Sequence, residues 1–325
     1  MTSVAVVVVN YRTTDLACQC LASLEPEIAG LPGSEVCVVD NDSGDGSADR
    51  LTRFIEERSY GAWVRLLRAP RNGGFAAGNN VALRELLPGR RHGAFLLLNP
   101  DTEVRPGALR PLLDRVDGDP SVGIVGSRLE NHDGSPQGSA FRFPSPMSQF
   151  EMGIDLGPVR RLLARWATMY PSSEEAHRCD WVSGASLLLR REVLEAVGLL
   201  DEEYFLYFEE TDICFRAARA GWSCWYEPRS RVVHLEGQAT GFADPRHLRR
   251  RLPQYWFDSR RRFFLKSYGP RGAIAADAGW LLGRALGSPG RWIRRATRGG
   301  NGDELPEGML RDFIRNSVFA RGFRL

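Results

Sequence analysis

Acidic and amide side chains follow two apolar runs in the first hundred residues, where they suit phosphate chemistry. Residues 40–42 read Asp-Asn-Asp after one run, and residues 99–101 read Asn-Pro-Asp after another. Carboxylate oxygens hold Mg²⁺ or Mn²⁺, and such an ion offsets the charge of a bound diphosphate. Asp101 is placed for that role. The alternative is that residues 99–102 only cap a following helix, which has Pro106 near its start.

A second cluster places three carboxylates, Glu209, Glu210 and Asp212, directly after the aromatic stretch 204–208. On a helix, Glu209 and Asp212 share a face, while Glu210 points elsewhere. A carboxylate held beside apolar rings has a raised proton affinity and can act as a general base. The alternative is that acidic residues are simply favourable at a helix N-terminus.

The third position of interest is His234, which follows the two valines 232–233. A histidine can ligate a metal ion or exchange a proton near neutral pH. A lone histidine after a strand is more often structural. Its neighbours in the fold therefore decide its role.

A nicotinamide cofactor is the first alternative to test, and its motif is missing. That site needs Gly-x-Gly-x-x-Gly after the first strand, whereas residues 10–14 read Asn-Tyr-Arg-Thr-Thr. The glycine-rich segment 71–78 follows the third predicted strand and lacks the spacing. The sequence argues against a dinucleotide-binding domain.

The elements that position these residues alternate between strand and helix. We predict strands at 4–9, 36–39, 64–67 and 95–98, and helices at 15–24, 47–57 and 75–86. This alternation of β-branched apolar strands with helices indicates an α/β fold with a mostly parallel sheet. Ligands bind at the carboxyl ends of such strands. Residues 10–11, 40–42 and 99–101 all fall there.

The pattern loosens after about residue 130. Residues 131–180 predict loops with one or two short helices, because they are rich in Gly, Pro and Ser. Further on we predict a strand at 186–189, a helix at 191–197 and a helix from near 209 to 221. From 246 onward we predict basic helices that break at 253, 269–270 and 287–290, followed by a linker at 299–308. We expect one domain over 1–240 and a helical basic C-terminal region over 241–325.

In this order the motifs resemble the family 2 inverting glycosyltransferases, and most closely their rhamnosyltransferase-like branch. The matching segments are residues 10–11, 39–43, 72–75, 99–101, 181–185, 197–202, 207–212 and 234. The resemblance covers about residues 3–240. It implies a GT-A nucleotide-diphospho-sugar transferase fold with a mostly parallel, Rossmann-like sheet, extended here by the helical basic C-terminal region.

The resemblance implies roles for the matching positions. The nucleotide-sugar-binding residues would be Asn10, Tyr11, Arg12, Asp40, Asp42, Asn72, Gly73, Asn99 and Asp101. Among them, Asp40 would accept a hydrogen bond from the base ring. Asp101 and His234 would hold the Mg²⁺ or Mn²⁺ cofactor, and Trp181 and Gly184 would lie on the acceptor side.

The catalytic base implied by the resemblance is Glu210, which stands where relatives usually have an aspartate. Its extra methylene shifts the carboxylate by about one bond length, and since proton abstraction needs hydrogen-bond reach, Glu209 and Asp212 remain alternatives. A second departure is Asn99, a neutral residue where many relatives have an acid. It should weaken metal binding rather than abolish it.

The implied activity is a metal-dependent transfer of a sugar, with rhamnose favoured by the branch, from a dTDP-, UDP- or GDP-linked donor to a saccharide or lipid-linked acceptor. Displacement from the face opposite the diphosphate inverts the anomeric carbon. Such enzymes build cell-surface polysaccharides and glycoconjugates. One competing interpretation is a sugar nucleotidyltransferase, whose Gly-rich signature after the first strand is missing. Another is a non-catalytic carbohydrate-binding protein with a decayed transferase site.

The C-terminal region mixes basic and aromatic residues. Residues 246–266 hold eight basic side chains against one acid, Asp258, with aromatic residues between them. Such helices suit an anionic membrane surface, and the implied location is cytoplasmic, at the inner face of the plasma membrane. A solvated helix face or a homodimer surface are the alternatives. Nucleic acid is not expected as a partner, because no binding module is recognised.

Composition excludes several other classes. The chain has 325 residues, 43% hydrophobic and 26% charged, which argues against disorder and coiled coils. No apolar run reaches the roughly 18 residues of a membrane-spanning helix, and the apolar opening is too short for a signal peptide. The net charge is only +3. Six cysteines without metal-site spacing predict reduced, mostly buried thiols in a cytoplasmic protein.

Overall fold

The computed structural model describes residues 2–154, 156–235, 251–298, 306 and 308–323. The chain forms two compact units. The first consists of residues 1–141 and 171–243, and the second of residues 142–170 and 244–325. That residues 1–240 make up the transferase domain stays a prediction.

The strands of the first unit are β1 (Val4–Asn10), β2 (Glu35–Asp40), β3 (Val64–Arg68), β4 (Ala94–Leu98), β5 (Thr102–Val104), β6 (Val122–Glu130), β7 (Ala140–Phe141), β8 (His177–Cys179), β9 (Trp181–Val182), β10 (Ser186–Arg190) and β11 (Ser223–His234). Nine of them form one sheet in the order β3-β2-β1-β4-β10-β6-β11-β5, with β8 also paired to β11, and β7 and β9 form a separate two-stranded sheet. Strands β1 to β4 are parallel to one another, whereas β10 runs antiparallel between β4 and β6. The mostly parallel sheet is confirmed.

Helices flank the sheet and fill the second unit. They are α1 (Thr14–Ala29), α2 (Ser47–Glu57), α3 (Gly74–Leu86), α4 (Leu109–Gly118), α5 (Pro146–Ile154), α6 (Gly157–Leu162), α7 (Arg191–Val197), α8 (Glu209–Arg219), α9 (Gln254–Arg298), α10 (Met309–Asn316) and α11 (Val318–Arg321). The predicted helices 47–57 and 191–197 match α2 and α7 in both bounds. The helix predicted over 15–24 is longer than expected: α1 runs from Thr14 to Ala29 and contains Pro26.

The core of the first unit explains why the strands read as continuous apolar runs. All seven residues of β1 and all five of β4 are buried. Strands covered by helices on both faces have no polar face to alternate with. The sheet is therefore a rigid support for the polar residues that follow its strands.

Two expectations for the middle of the chain are corrected. Residues 99–102 do not cap a helix: β5 starts at Thr102 and pairs with β11, and α4 begins only at Leu109. Segment 131–180 does hold α5 and α6, but it also contributes the short strands β7 and β8. These strands are two or three residues long, and pairing rather than periodicity defines them.

The second unit corrects the expectation for the basic region. Helix α9 is interrupted at Gly269, as predicted, but it continues through Pro289 to Arg298 instead of breaking at 287–290. The rings of Phe257, Phe263, Phe264 and Trp280 are buried, so they form core rather than a membrane-facing surface. Residues 246–250 and nearly all of the predicted linker 299–308 lie outside the described residues.

A buried ion pair joins parts of the second unit. Arg260 Nη1 donates to Asp277 Oδ1 at 2.6 Å, and the other side of the guanidinium contacts Gln149 Oε1 at 2.8 and 3.0 Å. The second Asp277 oxygen accepts from the backbone N–H of Val318 at 2.7 Å. Because buried charges need such full pairing, these four residues tie α5, α9 and α11 together.

The cysteines are free thiols, as predicted, and five of them are buried. Their sequence positions are scattered, yet Cys179 and Cys224 face each other across β8 and β11 with their sulfurs 3.8 Å apart. Burial raises the pKa of Cys224 well above its ordinary value, and contacts with Cys179 and Cys214 add to it. Such thiols are unreactive packing residues.

Candidate active site

The carboxyl ends of β1 and β2 are locked together by polar side chains. Asn10 Nδ2 donates to Asp40 Oδ1 at 2.9 Å, and the Ser43 hydroxyl donates to the same oxygen at 2.6 Å. Asp40 is only 5% exposed, and its Oδ2 accepts from the backbone N–H of Ser43 at 3.3 Å. This network fixes the Asp40 carboxylate at the strand end where a nucleotide base is expected.

A second hydrogen-bond network links the carboxyl end of β2 to the start of α3. Asn41 Nδ2 donates to Asn72 Oδ1 and to the Gly74 carbonyl, both at 3.0 Å. The same Asn72 oxygen accepts from the backbone N–H of Gly74 at 3.0 Å. The predicted binding residue Asn72 thus shapes the loop 72–74 next to the carboxyl end of β2.

The loop before α8 rests on this glycine-rich turn. Phe75 donates its backbone N–H to the Phe205 carbonyl at 2.9 Å. Gly74 has φ +80°, and a Cβ there would lie 1.8 Å from the Phe205 oxygen. Tyr207 and Phe208 both adopt positive φ, 69° and 70°. Only glycine at position 74 allows the two loops to approach this closely.

Glu210 lies beside the predicted acceptor-side glycine. A Cβ built on Gly184 would lie 3.6 Å from Glu210 Cβ and 3.6 Å from Phe75 Cε1. Gly184 is followed by Ala185, whose carbonyl accepts the backbone N–H of Asn99 at 3.1 Å. The structure therefore brings the three motifs containing Phe75, Gly184 and Glu210 together, next to the carboxyl end of β4.

The environment of the two adjacent glutamates favours proton transfer. Burial raises the pKa of Glu210 to about 7. Burial, and then the charge of Glu210, raise the pKa of Glu209 well above its ordinary value. Within the described residues, Oε2 of each side chain is buried without a hydrogen-bond partner. A carboxyl group with a pKa near 7 can gain or lose a proton near neutral pH.

Asp212 has a different environment. Its Oδ2 accepts from Arg216 Nε at 2.7 Å within α8, and the side chain is 1% exposed. Arg216 also donates to the carbonyls of Val197 and Leu199, at 2.6 and 2.9 Å. This arrangement anchors the end of α7 to α8.

The predicted metal ligands converge at the ends of β4 and β11. His234 Nε2 lies 3.6 Å from Asp101 Oδ1 and 3.5 Å from Asn99 Nδ2. Asp101 is 2% exposed. On the other side of the ring, His234 Nδ1 lies 3.2 Å from Gln137 Oε1. In the described part of the chain, no group of three or more His, Cys, Asp or Glu side chains forms a metal cluster.

The remaining predicted residues lie at the edges of this site. The exposed Arg12 donates from Nε to the Ser43 carbonyl at 2.8 Å, and its guanidinium carbon lies 5.1 Å from the centre of the Tyr11 ring. Asp42 is exposed with φ 58°. Trp181 stacks on Phe141 with ring centres 4.2 Å apart, so its indole is held within the β7–β9 pair. Gly73 precedes α3.

Sequence reasoning missed the residues that hold these groups in place. Asn41, Ser43, Phe75 and Phe205 lay within quoted segments but had no assigned role, and Gln137 lay outside every quoted motif. Gln137 lies in the Gly- and Ser-rich segment 131–180, where no periodicity indicates an inward-facing side chain. Contacts across more than 90 residues, such as Gln137 with His234, leave no local signal.

Comparison with known proteins identifies the family. The sequence pattern described as "Glycosyltransferase like family 2" matches residues 2–251. The chain belongs to the family 2 glycosyltransferases. This glycosyltransferase is 32% identical over 225 residues to the N-acetylglucosaminyl-diphospho-decaprenol L-rhamnosyltransferase of Mycobacterium tuberculosis, covering 66% of this chain and 70% of that protein. It is 26% identical over 216 residues to a low-salt glycan biosynthesis hexosyltransferase of Haloferax volcanii, covering 66% and 61% respectively.

Solved structures confirm the GT-A fold of this glycosyltransferase. GalNAc-T7, crystallised with UDP, GalNAc and Mn²⁺, matches with a TM-score of 0.58 and 16% identity over 99% of this chain and 57% of that one. A mannosyltransferase from Pyrobaculum calidifontis, in complex with GDP-Man and Mn²⁺, matches with a TM-score of 0.56 and 17% identity over 91% and 76%. At such identities the likeness establishes the fold.

Proposed function

We propose that this glycosyltransferase moves a sugar from a nucleoside diphosphate donor to a saccharide or lipid-linked acceptor, with inversion at the anomeric carbon. Among donors we favour dTDP-rhamnose, because the Mycobacterium relative is named a rhamnosyltransferase that acts on a diphospho-decaprenol acceptor. The product would belong to cell-surface polysaccharide or glycoconjugate synthesis.

The observation that carries the proposal is the position of Glu210. Its carboxylate is buried and its pKa is raised to about 7. The side chain lies beside Gly184, next to the carboxyl end of β4. A carboxylate in this state can accept the proton of an acceptor hydroxyl as that oxygen attacks the sugar. Direct displacement needs no covalent enzyme intermediate, so no Ser or Cys nucleophile is required.

We assign donor binding to the carboxyl ends of β1 and β2. Asn10, Asp40 and Ser43 form a preorganised polar surface for the nucleotide base. Asn72 shapes the loop that we assign to the ribose and diphosphate. Preorganised groups cost little reorganisation when charge develops on the departing diphosphate.

A divalent cation fits the group formed by Asp101, His234 and Asn99. The Asp101 carboxylate is a hard oxygen ligand, and an imidazole nitrogen 3.6 Å away can share one ion with it. We propose that these residues hold Mg²⁺ or Mn²⁺, with Asn99 as a neutral neighbour. When bound, the ion would offset the charge of the donor diphosphate.

Two competing interpretations have distinct signatures. A decayed, carbohydrate-binding site would not be expected to retain two adjacent glutamates that each have one buried oxygen without a hydrogen-bond partner in the described part of the chain, since that costs stability without benefit. A sugar nucleotidyltransferase would release pyrophosphate from a nucleoside triphosphate rather than a nucleoside diphosphate from a nucleotide sugar.

The deciding experiment measures nucleotide release from UDP-, GDP- and dTDP-sugars with Mn²⁺ or Mg²⁺. We expect one donor to be turned over slowly without acceptor, and the turnover to stop with EDTA. Asp101→Ala should abolish the metal-dependent rate, whereas the exposed Glu203→Gln is the matched control. Donor binding without release would mean that turnover requires the acceptor, neither binding nor release of any donor would favour the decayed site, and pyrophosphate release from a triphosphate would favour the nucleotidyltransferase.

We further propose contact with the cytoplasmic face of the membrane through a surface on α10 and α11. The exposed residues of 308–323 are Leu310, Arg311, Ile314, Arg315, Phe319, Ala320, Arg321 and Phe323. All are apolar or arginine, and the acid in this segment, Asp312, is buried against Arg251. Arg321 pairs with Asp258 and Arg311 with Asp312. This α10–α11 surface therefore suits an anionic lipid surface through its apolar side chains and Arg315, which would add about 1 kcal/mol.

This interaction would be peripheral. Within the described residues, no helix is both long enough and apolar enough to cross a bilayer. The four large apolar side chains of the α10–α11 surface are between 47% and 58% exposed. Partial insertion of such side chains gives reversible binding, which suits an enzyme whose acceptor is lipid-linked.

A further inference from the structure

We propose that Gln137 is a positioning residue that holds His234 in the tautomer protonated at Nδ1, so that the Nε2 lone pair faces Asp101. The metal-binding consequence of this proposal rests on the proposed function above. The tautomer itself is a property of the metal-free protein.

The argument starts from which atoms of the Gln137 amide face which partners. Its nitrogen, Nε2, lies 2.9 Å from the backbone carbonyl of His234. A carbonyl oxygen only accepts, so the NH₂ group and not the amide oxygen must face it. The amide oxygen, Oε1, then faces His234 Nδ1 at 3.2 Å. Since Oε1 only accepts as well, Nδ1 must carry the proton.

A chain of hydrogen bonds through Ser135 and Asn131 requires the same orientation of the Gln137 amide. The Ser135 hydroxyl donates to the Asp133 carboxylate at 2.6 Å, and accepts from Asn131 Nδ2 at 2.9 Å. Asn131 Oδ1 therefore faces Gln137, and accepts from its Nε2 at 2.8 Å. Both independent ends of the network, the Asp133 carboxylate and the His234 carbonyl, are acceptors, and both require the same orientation of the Gln137 amide.

The backbone around Gln137 holds the amide in place. The Gln137 N–H donates to the Leu129 carbonyl of β6 at 2.8 Å, and residues 131–135 are closed by Asn131 N–H to the Ser135 carbonyl at 2.8 Å. Gln137 and His234 therefore belong to one hydrogen-bonded edge formed by β6, the following turn and the end of β11. The imidazole cannot easily turn over without breaking these bonds.

The consequence appears on the far side of the ring. The neutral form of this tautomer has its lone pair at Nε2, which lies 3.6 Å from Asp101 Oδ1 and 3.5 Å from Asn99 Nδ2. A cation shared with Asp101 requires that lone pair. Partners that orient a ligating histidine in this way typically change metal affinity 10- to 100-fold when they are mutated. Gln137 touches neither metal nor substrate in this scheme.

The first test uses no metal. Long-range ¹H–¹⁵N NMR on protein with ¹⁵N-labelled histidine reports which ring nitrogen is protonated, and His234→Gln assigns the signal. We expect the Nδ1–H form in the wild-type protein and a mixture of both tautomers in Gln137→Leu. An Nε2–H tautomer in the wild type would overturn the inference whatever the protein's activity.

The second test measures Mn²⁺ affinity by electron paramagnetic resonance with Mn²⁺ alone. We expect Gln137→Leu to weaken binding about tenfold or more. Gln137→Glu keeps an acceptor beside Nδ1 and should restore much of the affinity, and the exposed Gln19→Leu is the control. Unchanged affinity in a folded Gln137→Leu protein would refute the positioning role. A wild type that binds no Mn²⁺ would instead refute the proposed metal site and leave the tautomer result standing.

Discussion

The carboxylate of Asp212 is paired with Arg216 one turn further along α8, with 2.7 Å between Oδ2 and Nε. This pairing separates the three acidic residues at the start of α8 by environment. Asp212 faces a permanent cation, whereas Glu209 and Glu210 each have a buried oxygen without a hydrogen-bond partner in the described part of the chain. We therefore propose Glu210 as the base, with Glu209 as its buried neighbour and Asp212 as a support.

Removing the Asp212–Arg216 pair should affect stability more than chemistry. Arg216→Met leaves a 1%-exposed carboxylate without its cation, so we expect the free energy of unfolding to fall by about 3 kcal/mol. Urea unfolding measures this. Arg219→Met, at the exposed end of the same helix, is the matched control and should change stability little. Equal effects of both variants would mean that the pair contributes nothing specific.

Glu210→Gln should remove the base while keeping the side-chain volume. We expect turnover to fall by about 10²- to 10⁴-fold, with donor affinity unchanged, because the missing proton acceptor acts only in the chemical step. Steady-state kinetics and calorimetry with the donor measure the two quantities. Glu209→Gln is the informative comparison: a larger loss there would assign the base to Glu209.

The pH profile should report the same carboxylate. The pKa of Glu210 is raised to about 7, and a base must be unprotonated to act. Turnover should therefore fall about tenfold per pH unit below 7 and level off above it. The residual rate of Glu210→Gln should lack this inflection. If the wild-type rate is flat between pH 5.5 and 8, Glu210 does not control it.

Stability should change with pH in the opposite sense to activity. Between the ordinary value of 4.5 and the raised pKa of about 7, the folded protein binds more protons at Glu210 than the unfolded chain does. The free energy of unfolding should therefore decrease as pH rises through this window. Glu210→Gln should gain stability relative to wild type at pH 8 and not at pH 4.5, as measured by thermal unfolding at both values.

Gly74→Ala should disrupt the contact that supports the loop before α8. The new Cβ would lie 1.8 Å from the Phe205 carbonyl oxygen at φ +80°, so we expect a loss of about 3 kcal/mol or more. Gly44→Ala has φ +67° and open space, and should cost only about 1 kcal/mol. Urea unfolding of both variants separates the clash from the backbone strain.

The α10–α11 surface should bind anionic vesicles. We expect the wild-type protein to float with vesicles containing phosphatidylglycerol and not with pure phosphatidylcholine. The double variant Ile314→Gln/Phe319→Gln should weaken binding about tenfold or more, because two exposed apolar side chains are lost. Leu162→Gln, 80% exposed elsewhere, is the control. A protein that ignores vesicles but loses a homodimer in the double variant would assign the surface to a second copy.

Much of the fold was predictable because its signals are local. Helices α2 and α7 match their predicted bounds, since the spacing of apolar residues acts within a few residues. Strands β5 and β8 were missed, because three residues carry no periodicity and only pairing with β11 defines them. Pro289 did not end α9, so a local breaking signal was overridden there.

The sequence by itself determined the family, the alternating strands and helices, and the strand ends where polar residues gather. Those features depend on residue type and order along the chain. Tertiary structure decided the state of each group: that Glu209 and Glu210 are both desolvated, that Asp212 meets Arg216, and that the Gln137 amide orients His234. Desolvation and hydrogen-bond direction depend on atoms brought together from distant parts of the chain, so they exist only once the sheet and its loops have formed.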